Sequence, residues 1–338
     1  MHLLNIVMGM PERLLRLVSG GKTVRDGQTL NGRSQMLIRL MDLRFPGFDS
    51  LPPVALRKAL VKLGEDGPSS PELCDTEDSF LSLPDTRLPV RIYRPGGNRG
   101  NAPALLYLHG GGFVIGGVDS HDALCQQLAH YSGVTVVALA YRLAPEFPYP
   151  TAVNDAIGGY MALQDVAVSW GIDPGRIAVG GDSAGGNLTA VLCQQLKGEP
   201  CSPPFQLLIY PVTDLSAATP SYRLFGEGFF LTSADMNYFK EHYIRREQCL
   251  ELTASPLLSA DISGLPPACF VIAGFDPLRD EGMAYAERLE EAGVQVEMQF
   301  HPDQFHGFFS MGHVLPEGKE AIQRVAKVLR GALDVSPS

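Results

Sequence analysis

From Ala104 to the C-terminus, short and nearly continuous apolar runs alternate with segments of helical spacing, and this alternation leaves few folds open. The runs are Ala104–Leu108, Val134–Ala140, Ile177–Val179, Phe205–Tyr210, Cys269–Ala273 and Val294–Phe300. Between them, apolar residues at helical intervals predict helices near 121–132, 151–169, 186–197, 233–245 and 282–292, with a last one at 317–333. Strands that are apolar throughout must be covered on both faces, and the intervening helices supply the cover. The expected fold class is therefore α/β, a doubly wound and mostly parallel sheet with its site at the carboxyl ends of the strands. Upstream, Phe80–Leu83 and Leu88–Tyr93 alternate in polarity around Pro84 and Asp85. That pattern predicts an antiparallel hairpin, and its two arms with the six runs make an eight-stranded sheet.

Two stretches depart from the rhythm. Residues 1–65 read as amphipathic helices, with Pro11–Val18, Ser34–Leu43 and Pro53–Leu63 as the clearest segments. They are expected to form an N-terminal helical cap segment, leaving 66–338 as the catalytic domain. The long interval between Tyr210 and Cys269 shows one helix and no clear strand. An interruption of that length is expected to be a cap insertion, at about 214–262.

Bulk properties exclude more than they select. The 338 residues suffice for one large domain. A net charge of −10 argues against nucleic acid and anionic membrane surfaces as partners. The six cysteines form no CxxC pair, and no histidine is spaced to complete a zinc cluster, so no metal is expected. They read as free thiols of a reducing compartment. The apolar stretch Leu3–Met8 is short, without a basic flank or an A-x-A cleavage site. No apolar run reaches the ~18 residues that a spanning helix requires. A soluble cytoplasmic protein is the expectation.

Two glycine-rich stretches carry the chemistry. Gly180-Gly-Asp-Ser-Ala-Gly-Gly186 joins a predicted buried strand to a predicted helix. A serine on such a tight strand-to-helix turn, with small neighbours, fits the G-x-S-x-G nucleophile elbow, and Ser183 would meet the helix N-terminus where negative charge is favoured. Earlier, His109-Gly-Gly-Gly-Phe113 follows directly on the strand ending at Leu108. Successive glycines let backbone N–H groups point together at a ligand, as an oxyanion hole requires. A dinucleotide loop starting at Gly110 would need glycine where Ile115 stands.

His109–Gly112 upstream of Gly181–Gly185 resembles the hormone-sensitive lipase family of α/β-hydrolases, the bacterial group IV esterases that include acetyl esterases. Tyr141-Arg-Leu-Ala-Pro-Glu146, Pro148–Val153 with Asp155, and Phe113–Gly116 followed by His121-Asp122 are similar to further motifs of that family. The resemblance covers about residues 75–335. It implies the α/β-hydrolase fold with a helical cap, and a chain order of nucleophile, acid and base. In Asp276-Pro-Leu-Arg-Asp280 the family pattern places the acid on Asp276, with Asp280 as the alternative. Among the histidines beyond the last strand, His306 matches the family's base loop, and His301 is the fallback. Gly111, Gly112 and Ala184 would supply the oxyanion N–H groups. Asp182 reads as a brace of the elbow, and His109 as a structural residue of the glycine loop.

The implied function is hydrolysis of small to medium acyl esters through a Ser-His-Asp acyl-enzyme, without metal or organic cofactor. The partner would be a small-molecule ester, and the chain a monomer or homodimer. Phe113, Leu224, Phe225, Phe229 and Phe230 are expected to line the substrate pocket, with core packing as the equal alternative for each. An amidase, lactonase or carbamate hydrolase would use the same machinery. A non-catalytic ligand-binding protein, as in the gibberellin receptors similar to this family, would tolerate loss of the base. A chymotrypsin-like protease would need the reverse order of residues and an all-β chain.

Overall fold

The computed structural model describes residues 8–43, 45, 47–65, 73–97 and 100–335, so Leu3–Val7 of the apolar N-terminal stretch lie outside the described residues. Eight strands make one sheet: β3 (Asp75–Ser82), β4 (Arg87–Arg94), β5 (Ala102–Leu108), β6 (Thr135–Leu139), β7 (Ile172–Asp182), β8 (Gln206–Ile209), β9 (Ala268–Phe275) and β10 (Val296–Phe305). Their order across the sheet is β10-β9-β8-β7-β5-β6-β4-β3. The pairs β3–β4 and β4–β6 are antiparallel, and every other pair is parallel.

Every residue of β5, β6, β8 and β9 is buried. This is the demand that the continuous apolar runs make on the fold. Alternate residues feed two cores, because side chains point to opposite faces along a strand. Leu106, Leu108, Val179, Leu208 and Ile272 enter one core, with Tyr160 and Leu163 of α5 (Thr151–Val166), Leu188 and Leu192 of α6 (Ala184–Gln195) and Leu289 of α9 (Arg279–Glu291). Leu105, Tyr107, Leu207, Ile209 and Val271 enter the other, with Leu124 and Leu128 of α4 (Asp122–Ser132) and Val325 and Leu329 of α10 (Pro316–Ala332). Each fully buried aliphatic side chain stabilises the fold by about 1.5–3 kcal/mol, and the central strands are rich in them.

The N-terminal residues are less uniformly helical than their sequence predicts. Helices α1 (Glu12–Val18), α2 (Gly32–Asp42) and α3 (Pro53–Glu65) form, but a two-stranded ribbon of β1 (Val24–Arg25) and β2 (Gln28–Thr29) separates the first two. Asp26 and Gly27, both at positive φ, make its turn, which is what Asp-Gly favours in a two-residue hairpin. Asn31 caps α2 by accepting from the Arg33 and Ser34 N–H groups. Ser34 donates to Gln304 on β10 at 2.7 Å in a buried contact, which docks α2 near the end of that strand.

Between β8 and β9 two helices form rather than one: α7 (Pro220–Phe225), begun by a proline at its first turn, and α8 (Ser233–Tyr243), begun by a Thr232–Asp235 capping box. The N-terminal residues reach α8. The Phe48 N–H donates to Asp235 at 3.0 Å, and the Tyr238 hydroxyl donates to the Leu51 carbonyl at 2.8 Å. On α3, Arg57 donates to the Val114 carbonyl at 2.7 Å, tying that helix to the loop after β5.

Candidate active site

The carboxyl ends of β5, β7, β9 and β10 lead into the glycine loop, Ser183, Asp276 and His306 in turn. Ser183 sits between β7 and α6 at φ 54°, ψ −115°. This backbone region costs a non-glycine residue on the order of 1–3 kcal/mol and persists only where the surroundings enforce it. Here the Ser183 N–H donates to Ile209 on β8 at 2.9 Å, and its carbonyl accepts from Asn187 and Val212 at 3.1 and 3.2 Å.

The turn also requires close approach. A methyl group on Gly185 would collide with the backbone carbonyls of Leu108 and His109. Gly185→Ala is therefore expected to lower stability by at least ~2 kcal/mol, since the obstacle is backbone that cannot swing aside. The urea unfolding midpoint measures this; an unchanged midpoint would mean that the glycine loop can back away.

His306 Nδ1 lies 2.7 Å from Asp276 Oδ2, and its Nε2 lies 3.1 Å from Ser183 Oγ. All three side chains are buried. The other oxygen of Asp276 accepts from the Leu278 N–H at 2.8 Å, which orients the carboxylate. Helix α9 starts at Arg279, earlier than its apolar spacing predicts, so Asp276 both bonds the turn leading into the helix and faces His306. Asp280 instead accepts from the Ser221 N–H at 2.8 Å and pairs with Arg279. His301 lies on β10, its ring 4.9 Å from that of Phe308, with Arg324 3.4 Å from its Nδ1. The ring of Tyr210, at the end of β8, lies 4.5 Å from that of His306, a neighbour the sequence did not single out.

Gly111 (φ 120°) and Gly112 (φ 60°) hold the glycine loop in conformations open to glycine. Among the described residues neither of their N–H groups has an acceptor. Ala184, the first residue of α6, has no intrahelical acceptor for its N–H. Asp182 Oδ1 accepts from the Tyr107 hydroxyl at 2.7 Å and from the Gly110 N–H at 3.0 Å, so the elbow and the glycine loop share one buried carboxylate. His109 stacks on Tyr141 at 4.2 Å, and the Tyr141 hydroxyl donates to the His109 carbonyl. Burial, and then the nearby His121, push the His109 imidazole down to about 4, so it is neutral at ordinary pH.

The residues expected to line a pocket are scattered. Phe225 and Phe229 pack on Phe275 at 5.4 and 5.1 Å inside the core, and half-buried Leu224 lies against the same cluster. Phe113 is buried and stacks on Tyr243 at 3.9 Å. Phe230 adjoins the His306 loop, its ring 3.1 Å from where a Cβ on Gly307 would stand.

Two further aromatics join Phe230 to the glycine loop. The ring of Phe239 lies against Gly112, and Phe48 bridges it to Phe230 at 5.5 and 5.6 Å. Phe239 belongs to the buried stripe Met236, Phe239 and Tyr243 of α8, so helical spacing could have found it. Phe48 stands in a short 3-10 turn without periodicity, and nothing in the sequence marks it.

A model of the family described as alpha/beta hydrolase fold matches residues 105–310, more than half of the chain. The chain belongs to the α/β-hydrolase superfamily. Within it, the chain is a member of the hormone-sensitive-lipase-like family, as its relatives show. It is 40% identical over 316 residues to the carboxylic ester hydrolase LipN of Mycobacterium tuberculosis, spanning 89% of this chain and 83% of that protein. It is 42% identical over 262 residues to ethyl acetate hydrolase of Pseudomonas putida, spanning 76% and 82%. Among solved structures, the ester hydrolase EH1AB1 from the metagenome of Lake Arreo, complexed with a derivative of bipyridine phosphonate, superposes with a TM-score of 0.86 at 43% identity. That match covers 90% of this chain and all of the other.

Proposed function

We propose that this protein is a carboxylesterase acting on small to medium acyl esters, with Ser183 as nucleophile, His306 as base and Asp276 as acid partner. The observation that carries the proposal is the continuous chain from Asp276 through His306 to Ser183, at 2.7 and 3.1 Å. His306 Nε2 takes the hydroxyl proton as Ser183 Oγ attacks the ester carbonyl. Asp276 accepts from Nδ1–H, which leaves Nε2 free to receive that proton and stabilises the imidazolium. The Gly111, Gly112 and Ala184 N–H groups receive the oxyanion, each worth on the order of 3 kcal/mol in the transition state. His306 then protonates the leaving alcohol, and a water deprotonated by His306 releases the acid from the acyl-enzyme. None of these steps calls on a metal or cofactor.

The N-terminal helices and the 214–262 stretch together form the cap over this site. The hydrogen bonds from Phe48 to Asp235 and from Tyr238 to Leu51 support that reading. A cytoplasmic location fits the six free cysteines.

The assay is hydrolysis of p-nitrophenyl esters from acetate to decanoate, where the proposal expects kcat/KM to peak at short or medium chains. Phe239→Ala removes the ring over Gly112 and is expected to shift the optimum by two or more carbons, each methylene being worth about 1 kcal/mol or more in a pocket. An unmoved optimum would separate that ring from chain-length selection.

A further inference from the structure

One buried carboxylate joins the start of the glycine loop to His121, the residue before α4. At the start of the loop the Gly110 N–H donates to Asp182 Oδ1, at 3.0 Å. Beyond its end, His121 Nε2 lies 3.2 Å from Oδ1 and 3.3 Å from Oδ2 of the same residue. The second nitrogen of His121, Nδ1, lies 2.9 Å from Ser120 Oγ. Ser120 Oγ accepts from the Gly117 N–H at 3.0 Å and lies 2.9 Å from the Gly117 carbonyl. A Ser120 proton on that carbonyl leaves Oγ to accept from His121 Nδ1–H, while Nε2–H faces Asp182. That arrangement protonates both ring nitrogens and makes His121 an imidazolium opposite a buried carboxylate, in line with the upward push that, against burial, the charge of Asp182 gives it. Removing one partner of such a pair leaves the other charge buried and uncompensated.

We propose that His121 is a positioning residue for ester hydrolysis: as an imidazolium it holds Asp182, and through Asp182 it fixes the glycine loop whose N–H groups receive the oxyanion beside Ser183. The proposal rests on the carboxylesterase reading given above. His121 touches no reacting atom and acts only through Asp182 and the backbone of the loop.

The titratable groups around His121 leave Asp182 as its counter-charge. The His109 ring, 5.6 Å away, is neutral, as shown above. The Tyr107 ring lies 6.2 Å away, and burial holds its hydroxyl protonated. Asp119 and Asp122, flanking His121 in sequence, are both paired with Arg91. Burial alone would pull His121 down, but the charge of Asp182 and its hydrogen bond push it above the ordinary histidine value. Burial likewise works against ionised Asp182, yet the charge and hydrogen bond of His121 and the Tyr107 hydroxyl hold it below the ordinary carboxylate value. A histidine raised in this way keeps its contact complete below the unfolded value of about 6.5 and loses it as pH rises through the higher folded value. Activity is then expected to show an alkaline limb that belongs to His121.

The test combines pH profiles of kcat and KM with an NMR titration of the His121 ring in the whole protein. His121→Phe is expected to lower kcat about 30-fold with KM changed less than about threefold, the signature of a displaced transition-state donor. His121→Gln keeps a donor toward Asp182 without a titratable proton. It should hold kcat at the level that the wild-type protein reaches above its alkaline limb, and lose that limb while the acid limb stays. In the wild-type protein the His121 ring should titrate above its ordinary value, and Asp182→Asn should lower that midpoint. A wild-type alkaline limb in His121→Gln, or a His121 that titrates below the ordinary value, would overturn the proposal. A protein inactive on all esters with a high His121 midpoint would instead count against the esterase reading and leave the ion pair standing.

Discussion

Replacing Ser183 with alanine is expected to lower kcat for p-nitrophenyl butyrate by about a millionfold, down to the residue that binding and the oxyanion N–H groups supply. His306→Ala should cost nearly as much, and the double variant little more, because nucleophile and base act as one unit. The reason is geometric. His306 Nε2 lies 3.1 Å from Ser183 Oγ, where the proposed base would take the proton. The alanine variant should remain folded, because the elbow backbone is held by Ile209, Asn187 and Val212 and not by the hydroxyl. Steady-state kinetics with a matched unfolding curve separate these effects. Activity within tenfold of wild type in Ser183→Ala would remove the nucleophile from the account.

The second large effect falls on Asp276→Asn, for which a loss of about ten-thousandfold in kcat is expected. The two carboxylate oxygens have different duties, and this fixes the outcome. Oδ1 accepts from the Leu278 N–H at 2.8 Å, and Oδ2 faces His306 Nδ1 at 2.7 Å. An amide in this position keeps its oxygen on Leu278 and turns its NH2 toward Nδ1. His306 is then held with the proton on Nε2, the nitrogen that must receive the serine proton. Asp280→Asn is the control. That carboxylate bonds the Ser221 N–H and Arg279, away from His306, and its loss should change kcat by no more than about tenfold. Equal losses in both variants would return the choice between the two aspartates to open.

Much of this was legible in the sequence, for physical reasons. Strands buried on both faces must be apolar throughout, so β5, β6, β8 and β9 announced themselves as runs. The elbow announced itself through crowding, because Gly185 has no room for a side chain against Leu108. Chain order alone ranked Asp276 and His306 after Ser183, and the resemblance chose them over Asp280 and His301.

What the sequence hid depended on contacts between distant segments. Phe225 and Phe229 look like pocket aromatics, yet their neighbour is Phe275 on β9, which no local pattern links to them. Phe48 reaches Phe230 and Phe239 from nearly two hundred positions away in the chain. The ribbon at Asp26-Gly27 was a different kind of miss: its turn signal was present, but the surrounding helical periodicity outweighed two short strands.

The central claim is that Ser183 is the nucleophile of an acyl-transfer site, and its most direct measurement is covalent. Incubation with a p-nitrophenyl alkylphosphonate, followed by digestion and mass spectrometry, should show one phosphonyl group per chain, carried by the peptide that contains Ser183. One equivalent of p-nitrophenol should be released and esterase activity lost in step. An unlabelled Ser183 peptide, or an adduct on another residue that tracks the loss of activity, would contradict the account.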